Sequence, residues 1–341
     1  MKRVVLILLV CLGIAVIWNW SLIFYGISQG IGQLRIVWNA RPIEEVLKDP
    51  GFPDSLKQKL HLIKEIKRFA IDSLGLNDSE NYQTIYDQKG EELMWVVTAS
   101  EPFQLKPKTW NFPVVGSVPY KGFFDRDKAL KELSNLEAEG WDVGMRNPGG
   151  WSTLGWFTDP ILSGMLSRNE GDLASLIIHE MVHASVFIKD SVEFNENFAS
   201  FIADSAAYNF LAWKYGKDSP EYVTYVDEVR DYFKYSNHVL RGSWVLDSLY
   251  QSMSENEADS VKLKNKANLI AYIVSQMDTL TLRRYKIPRR RFKDRMPNND
   301  YFLAYRRYQS KQSDFKLELS EKYKGSLKKM IEDYQLRFPF L

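Results

Sequence analysis

The chain has 341 residues, with 45 Lys and Arg against 43 Asp and Glu, for a formal net charge of +2. A balance so close to neutral gives no global case for a nucleic-acid partner. Hydrophobic residues make up 45% of the chain, enough for a sizeable core, and the only cysteine, Cys11, lies in the N-terminal apolar run, which leaves the body neither a disulfide nor a thiol catalyst.

Met1-Lys2-Arg3 precedes Val4 to Ile17, a stretch without a charged or polar side chain, and no charge appears until Arg35. Extended to Tyr25 the segment reaches 22 residues, enough to cross a bilayer, with Trp18, Trp20 and Tyr25 suited to an interface. No small-x-small cleavage site follows, and Val10 before Cys11 is too large for a good lipoprotein site. The segment reads as an uncleaved N-terminal transmembrane helix over residues 1–33, in preference to a removed signal peptide or a buried helix. Lys2 and Arg3 stay in the cytoplasm by the positive-inside rule, so the body faces outward.

Ile43 to Leu47 and Pro53 to Leu74 show helical spacing, the second with Leu56, Leu60, Ile63, Ile66, Phe69 and Ala70 on one face and His61 on the surface. Leu93 to Thr98 and Pro113 to Val118 read as strands. Asp125 to Gly140 reads as an amphipathic helix ended by its glycine. Trp141 to Met145 and Trp151 to Phe157 read as further strands, parted by Asn147-Pro148-Gly149-Gly150. Within the last strand, Thr153, Leu154 and Gly155 are candidate substrate contacts: an extended peptide can add to a sheet edge, and glycine permits close backbone approach. Core aromatics and a structural turn explain the same residues equally well.

Leu173 to Ile188 reads as a buried helix containing His179-Glu180-Met181-Val182-His183. Residues four apart share a helix face, so the two imidazoles can hold one Zn²⁺ while Glu180 reaches the attacking water. The chain has four His in all, and two stand in this motif. A catalytic zinc takes three protein ligands and leaves one position open. Glu196 is the candidate third, in the first turn of a second buried helix with Asn195 near its N-cap, after a turn at Lys189 to Glu193. Glu193, in the turn, is the fallback. Asp204, two helical turns beyond Glu196, is placed to orient a ligand.

The H-E-x-x-H helix followed by Asn195-Glu196-Asn197-Phe198-Ala199 resembles the gluzincin-type metallopeptidases. Twelve residues separate His183 from Glu196, a shorter connector than that of thermolysin-like enzymes or the large aminopeptidases. The closer resemblance is to a family of zinc aminopeptidases of the bacterial envelope. It is carried by Trp38-Asn39-Ala40-Arg41-Pro42-Ile43, Leu60 to Leu76, Trp110 to Phe124 and Trp151 to Leu166, and covers residues 34–215. In that family Cys often fills the places of Asn111 and Ser117, so the resemblance implies a disulfide that this chain lacks. Aminopeptidase action is implied by the resemblance alone.

From Ser219 onward the chain reads as helical. Arg283-Arg284 and Pro288 to Lys293 form a basic cluster, read as a solvated face in preference to a lipid contact. Tyr301, Phe302, Tyr305 and Tyr308 form a helical stripe, read as core.

The expectation is therefore an α+β fold: a zincin-like metallopeptidase core of small mixed sheet plus active-site helices (34–216), a mainly helical C-terminal region (217–341) and the N-terminal transmembrane helix. The function expected is a membrane-anchored zinc peptidase on the periplasmic side of the cell membrane, acting on a peptide or protein substrate. His179, His183 and Glu196 bind Zn²⁺ and Glu180 is the general base. An envelope endopeptidase or a non-catalytic zinc-binding scaffold is the alternative. Tyr120, Tyr208 and His238 stand open as oxyanion donors.

Overall fold

The computed structural model describes residues 20–113, 116–148, 158–287, 292–293 and 295–338. It begins with helix α1 (Trp20–Asn39). One face of α1 is held on the body: the Tyr25 hydroxyl and Gln29 Nε2 both donate to Gly122 O, at 2.9 and 3.1 Å, and Gln33 and Ile36 are buried. The opposite face leaves Phe24, Ile27, Ile31 and Leu34 exposed. The helix runs unbroken through position 33, where the anchor was expected to end. Among the described residues no helix is long and apolar enough to cross a membrane. In α1 the reason is composition: Ser21, Gly26, Ser28, Gln29, Gly30, Gln33 and Arg35 dilute its apolar residues. The uninterrupted apolar stretch 4–17 lies outside the described residues.

Next come β1 (Arg41–Pro42), α2 (Ile43–Lys48), α3 (Asp54–Leu74), β2 (Thr84–Tyr86), β3 (Trp95–Ser100), β4 (Trp110–Phe112), β5 (Gly116–Val118), β6 (Lys121–Phe123), α4 (Arg126–Ala138), β7 (Asp142–Arg146) and β8 (Ile161–Leu162). The expected single mixed sheet is instead three small ones. Only β1–β2–β8 is mixed, with β1 antiparallel and β8 parallel to β2. The order β6–β3–β7 is antiparallel throughout, with Thr98 opposite Gly144. The third is the β4–β5 hairpin, in which Asn111 and Ser117 are direct cross-strand partners, an arrangement that suits a disulfide where both are Cys. The division has a local cause. Each strand is at most six residues long, and β3 buries both faces, so helices cover it where further strands would otherwise add. One cover is α4, with Ala129, Leu133 and Leu136 against Val97, Ala99 and Val143. Asp125 caps α4 by accepting from Asp127 N and Lys128 N, and Gly140 takes φ +87° just beyond its end.

After a 3₁₀ turn (Ser163–Ser167) the chain is helical: α5 (Glu170–His183), α6 (Val192–Tyr215), α7 (Pro220–Ser252), α8 (Asp259–Gln276), α9 (Asn299–Gln309), α10 (Gln312–Glu321) and α11 (Leu327–Arg337). In α5, Leu173, Ala174, Ile177, Ile178, Met181 and Val182 repeat at helical spacing and are all buried. Ala199, Ala203, Ala206 and Ala207 of α6 are fully buried and let the two helices approach closely. Leu60, Ile63 and Ile66 of α3 close the same core, joined by Phe315, Met330 and Ile331 of α10 and α11. Each fully buried Leu, Ile or Phe contributes about 1.5–3 kcal/mol. Helices α7, α8 and α9 form a second core around Tyr235, Val239, Ile273 and Phe302.

Helix α9 is fixed at both ends by buried asparagines. At its start Asn299 donates from its backbone to Asp142 Oδ2 at 2.7 Å and from Nδ2 to Glu101 O at 2.9 Å, and accepts from the Tyr250 hydroxyl at 2.6 Å. At its end Asn197 of α6 donates to Arg307 O at 2.6 Å and accepts from Lys311 N at 2.9 Å. The first half of the basic cluster is also structural: the backbone N–H groups of Arg283, Arg284 and Tyr285 all donate to buried Asp231. Residues 288–291 lie outside the described set.

Candidate metal centre

Helix α5 delivers both histidines from one row. Asn169 caps it, accepting from Asp172 N at 2.8 Å, and Glu170 and Asp172 favour its positive end. Ser175, His179 and His183 then recur every fourth residue, at the edge of the buried stripe, and His183 is the last helical residue.

The return to α6 is tied to itself. Asn195 accepts from Ile188 N at 2.9 Å and donates back to Ile188 O at 2.8 Å. It is thus a loop clamp and not the N-cap expected of it. Helix α6 begins earlier, at Val192, which places Glu196 in its second turn and not its first. Glu193 falls within the helix and accepts from Ser310 Oγ at 3.3 Å, facing α9 and not the histidines.

His179, His183 and Glu196 converge. His183 Nε2 lies 3.1 Å from His179 Nε2, and Glu196 Oε2 lies 3.2 Å from His179 Nε2 and 3.6 Å from His183 Nε2. Among the described residues this is the one group of three or more such side chains spaced to hold a metal ion. A tetrahedral Zn²⁺ with ligands at about 2.0–2.1 Å sets its ligand atoms about 3.3–3.4 Å apart, and the three separations bracket that span. Two imidazoles and one carboxylate form the donor set of a catalytic zinc with an open position. The residues present therefore fit the ion. His183 Nδ1 is buried and makes no hydrogen bond among the described residues.

The site's charges are mutually tuned. Burial acts to raise the Glu196 carboxyl, but the charge of His183 and the hydrogen bonds from both imidazoles outweigh it and hold the group well below the usual carboxylate range. For His179 burial acts downward, and the bond and charge of Glu196, with Glu180 and Asp204 behind them, carry it upward. Asp204 accepts from Ser175 Oγ at 2.9 Å and from the Tyr225 hydroxyl at 3.2 Å, and burial raises it against both bonds. It thus acts on His179 through charge, from beneath the Ser175 end of the row. Tyr82 is buried at φ 65°, its hydroxyl has no hydrogen-bond partner among the described residues, and burial followed by the charge of Glu180 pushes its pKa well up. Glu180 therefore has a neutral phenol nearby.

A second wall comes from distant parts of the chain. The Tyr308 ring centroid lies 6.5 Å from that of His179. Arg146 Nη2 donates to the Tyr308 hydroxyl oxygen at 3.2 Å, a bond that does not use the phenol proton. Burial raises Tyr308, helped by the charge of Glu196. The same two causes push Tyr120 up to about 12. Both phenols therefore stay protonated near Glu196 and the candidate ligand cluster. Of the three expected oxyanion donors, Tyr120 is here. Tyr208 packs on Tyr222 and Tyr225 instead, and His238 is bonded through Nε2 to Ile273 O at 2.8 Å in the second core. Tyr308 was read as core because its spacing matches that of Tyr301 and Tyr305. No local signal separates it from them, since its place depends on Asn197 holding the end of α9. Thr153, Leu154 and Gly155 lie outside the described residues.

No curated protein and no solved structure matches the chain. A family model described as "Putative aminopeptidase" matches residues 24–336. The match extends well past residue 215, where the resemblance read from the sequence ended, and takes in α9 with its Tyr308 wall. On a match that covers most of its length, the chain belongs to that aminopeptidase family.

Proposed function

We propose that the chain is a zinc metallopeptidase acting as an aminopeptidase. The observation that carries the reading is the convergence of His179 Nε2, His183 Nε2 and Glu196 Oε2 at 3.1–3.6 Å from one another. A zinc ion held there would supply Lewis-acid chemistry, acidifying a water and polarising the scissile carbonyl. Glu180, next to His179, takes the proton of the attacking water and returns it to the leaving amine. Tyr308 donates its phenol proton to the developing oxyanion, with Arg146 holding its oxygen from behind. Asp204 and Ser175 orient the ligand row. The exo character rests on the family. A free-amine dipeptide reporter should be cut and its N-acetylated form spared; cleavage of both at equal rates would make the protein an endopeptidase.

The apolar run 4–17 behind Lys2 and Arg3 supports a membrane anchor with the body on the extracytoplasmic, periplasmic side. The exposed apolar face of α1 agrees with a position near the bilayer. Release of the chain by carbonate wash, in place of retention with the membranes, would overturn that placement.

A further inference from the structure

The wall opposite the zinc ligands carries two guanidinium groups. Arg146 ends β7, and although the residue as a whole is exposed its guanidinium is desolvated against Tyr308, its Cζ 5.7 Å from that ring's centroid, which itself lies 6.5 Å from the His179 ring. Arg307 precedes Tyr308 on α9 and is only 7% exposed. Among the described residues its side chain forms no ion pair and no hydrogen bond, and no carboxylate lies within 4.0 Å of Arg146.

Two carboxylates act on this pair at longer range, Asp300 and Glu196. Glu196 belongs to the histidines. Asp300 is held by the Thr98 hydroxyl at 2.9 Å and sits so close to Gly144 that a Cβ there would lie 1.9 Å from its Oδ2. In this structure it is bonded to Thr98 and forms an ion pair with neither arginine among the described residues. One shielded carboxylate against two guanidiniums leaves the wall net positive beside the open face of the metal site. An arginine as buried as Arg307 is ordinarily paired, and planar guanidinium forks match carboxylates in two-point hydrogen bonds.

We propose that Arg146 and Arg307 form a carboxylate-binding subsite for the peptide substrate. This rests on the peptidase reading for the identity of the ligand, and not for the existence of the subsite. The two ring distances put the Arg146 guanidinium no more than about 12 Å from the His179 ring, a span of about three to four extended residues at roughly 3.3–3.6 Å each. The carboxylate is thus either the free C-terminus of a short peptide or an acidic side chain just beyond the scissile bond. The pair is a specificity determinant, and Arg146 bears on bond cleavage only through its bond to the Tyr308 hydroxyl.

The test is calorimetric binding to the full-length zinc-loaded Glu180→Gln chain, which needs no turnover. Leu-Ala-Ala is compared with its C-terminal amide, and Leu-Asp-Ala-amide with Leu-Asn-Ala-amide. The carboxylate member of at least one comparison should bind about tenfold more tightly, as a charge-assisted pair requires. Preference in the first comparison alone makes the source the C-terminus; preference in the second alone makes it the side chain. Arg146→Gln, with an unchanged Tm confirming that the fold is kept, should bring the favoured comparison to within about twofold. Equal binding in both comparisons, no binding of any peptide, or discrimination that survives in Arg146→Gln would each overturn the subsite. Failure of the wild-type chain to cut these peptides, with discrimination intact, would instead sink the peptidase reading and leave the subsite standing.

Discussion

The two walls of the site are built in opposite ways. The ligand wall is contained in eighteen consecutive positions, His179 to Glu196, on helices that pack directly on each other. The facing wall gathers Tyr120, Arg146, Arg307 and Tyr308 from a loop, a strand end and a helix end. Among its ties, buried Asn299 fixes one end of α9 and Asn197 the other. On the proposed function, the groups that would grip an ion are encoded locally, where helical spacing sets the geometry, and those that would select and stabilise the substrate depend on long-range packing and should be easier to detune without losing the metal.

Substitutions should separate the walls. The largest effect is expected for Glu180→Gln, with turnover down about 10²–10⁴-fold and zinc content unchanged; activity near wild type would remove Glu180 from the mechanism. Tyr308→Phe should keep zinc and lower kcat by about 10²-fold with little change in KM, the mark of a group that acts in the transition state. If Tyr120→Phe shows that pattern and Tyr308→Phe does not, the donor is Tyr120. Asn197→Ala leaves buried backbone groups of α9 unpaired and should cost about 1–3 kcal/mol in denaturant unfolding. It should also weaken activity more than zinc affinity. Equal losses in both would mean that the walls are not separable.

The smallest effect concerns Asp204. Burial raises its carboxyl in the folded chain, so the folded state holds that proton more tightly than the unfolded one does. Its contribution favours folding in acid and is lost as pH rises through the folded value. Asparagine can accept from the same Ser175 and Tyr225 hydroxyls without a charge. Asp204→Asn should therefore raise Tm at neutral pH, with the gain fading toward about pH 4. A Tm difference that does not change with pH would show that the buried charge is not what matters there.

Legibility in the sequence follows the same division. The clustering of His179, His183 and Glu196, together with α3, α4 and the α5–α6 pair, is readable because the elements rest on residues three or four apart and on local stop signals such as Gly140. The start of α6 is misread because Asn195 looks like a cap, while its side chain instead clamps Ile188 across the loop. The single sheet fails because strands of two or three residues carry almost no periodic signal, and β2 (Thr84–Tyr86) shows none. Tyr308 and Arg307 are hidden for a different reason: on α9 they continue an ordinary amphipathic pattern, and their place beside the site comes from tertiary contacts such as that with Asn197.

The most direct test is the metal content of the purified full-length chain beside Glu196→Ala, with α1 retained because Tyr25, Gln33 and Ile36 hold it on the body. The wild type should hold about one zinc per chain and the variant clearly less. A wild type that takes up no zinc after incubation, or a variant that keeps its full complement, would contradict the assignment of His179, His183 and Glu196 as the metal centre.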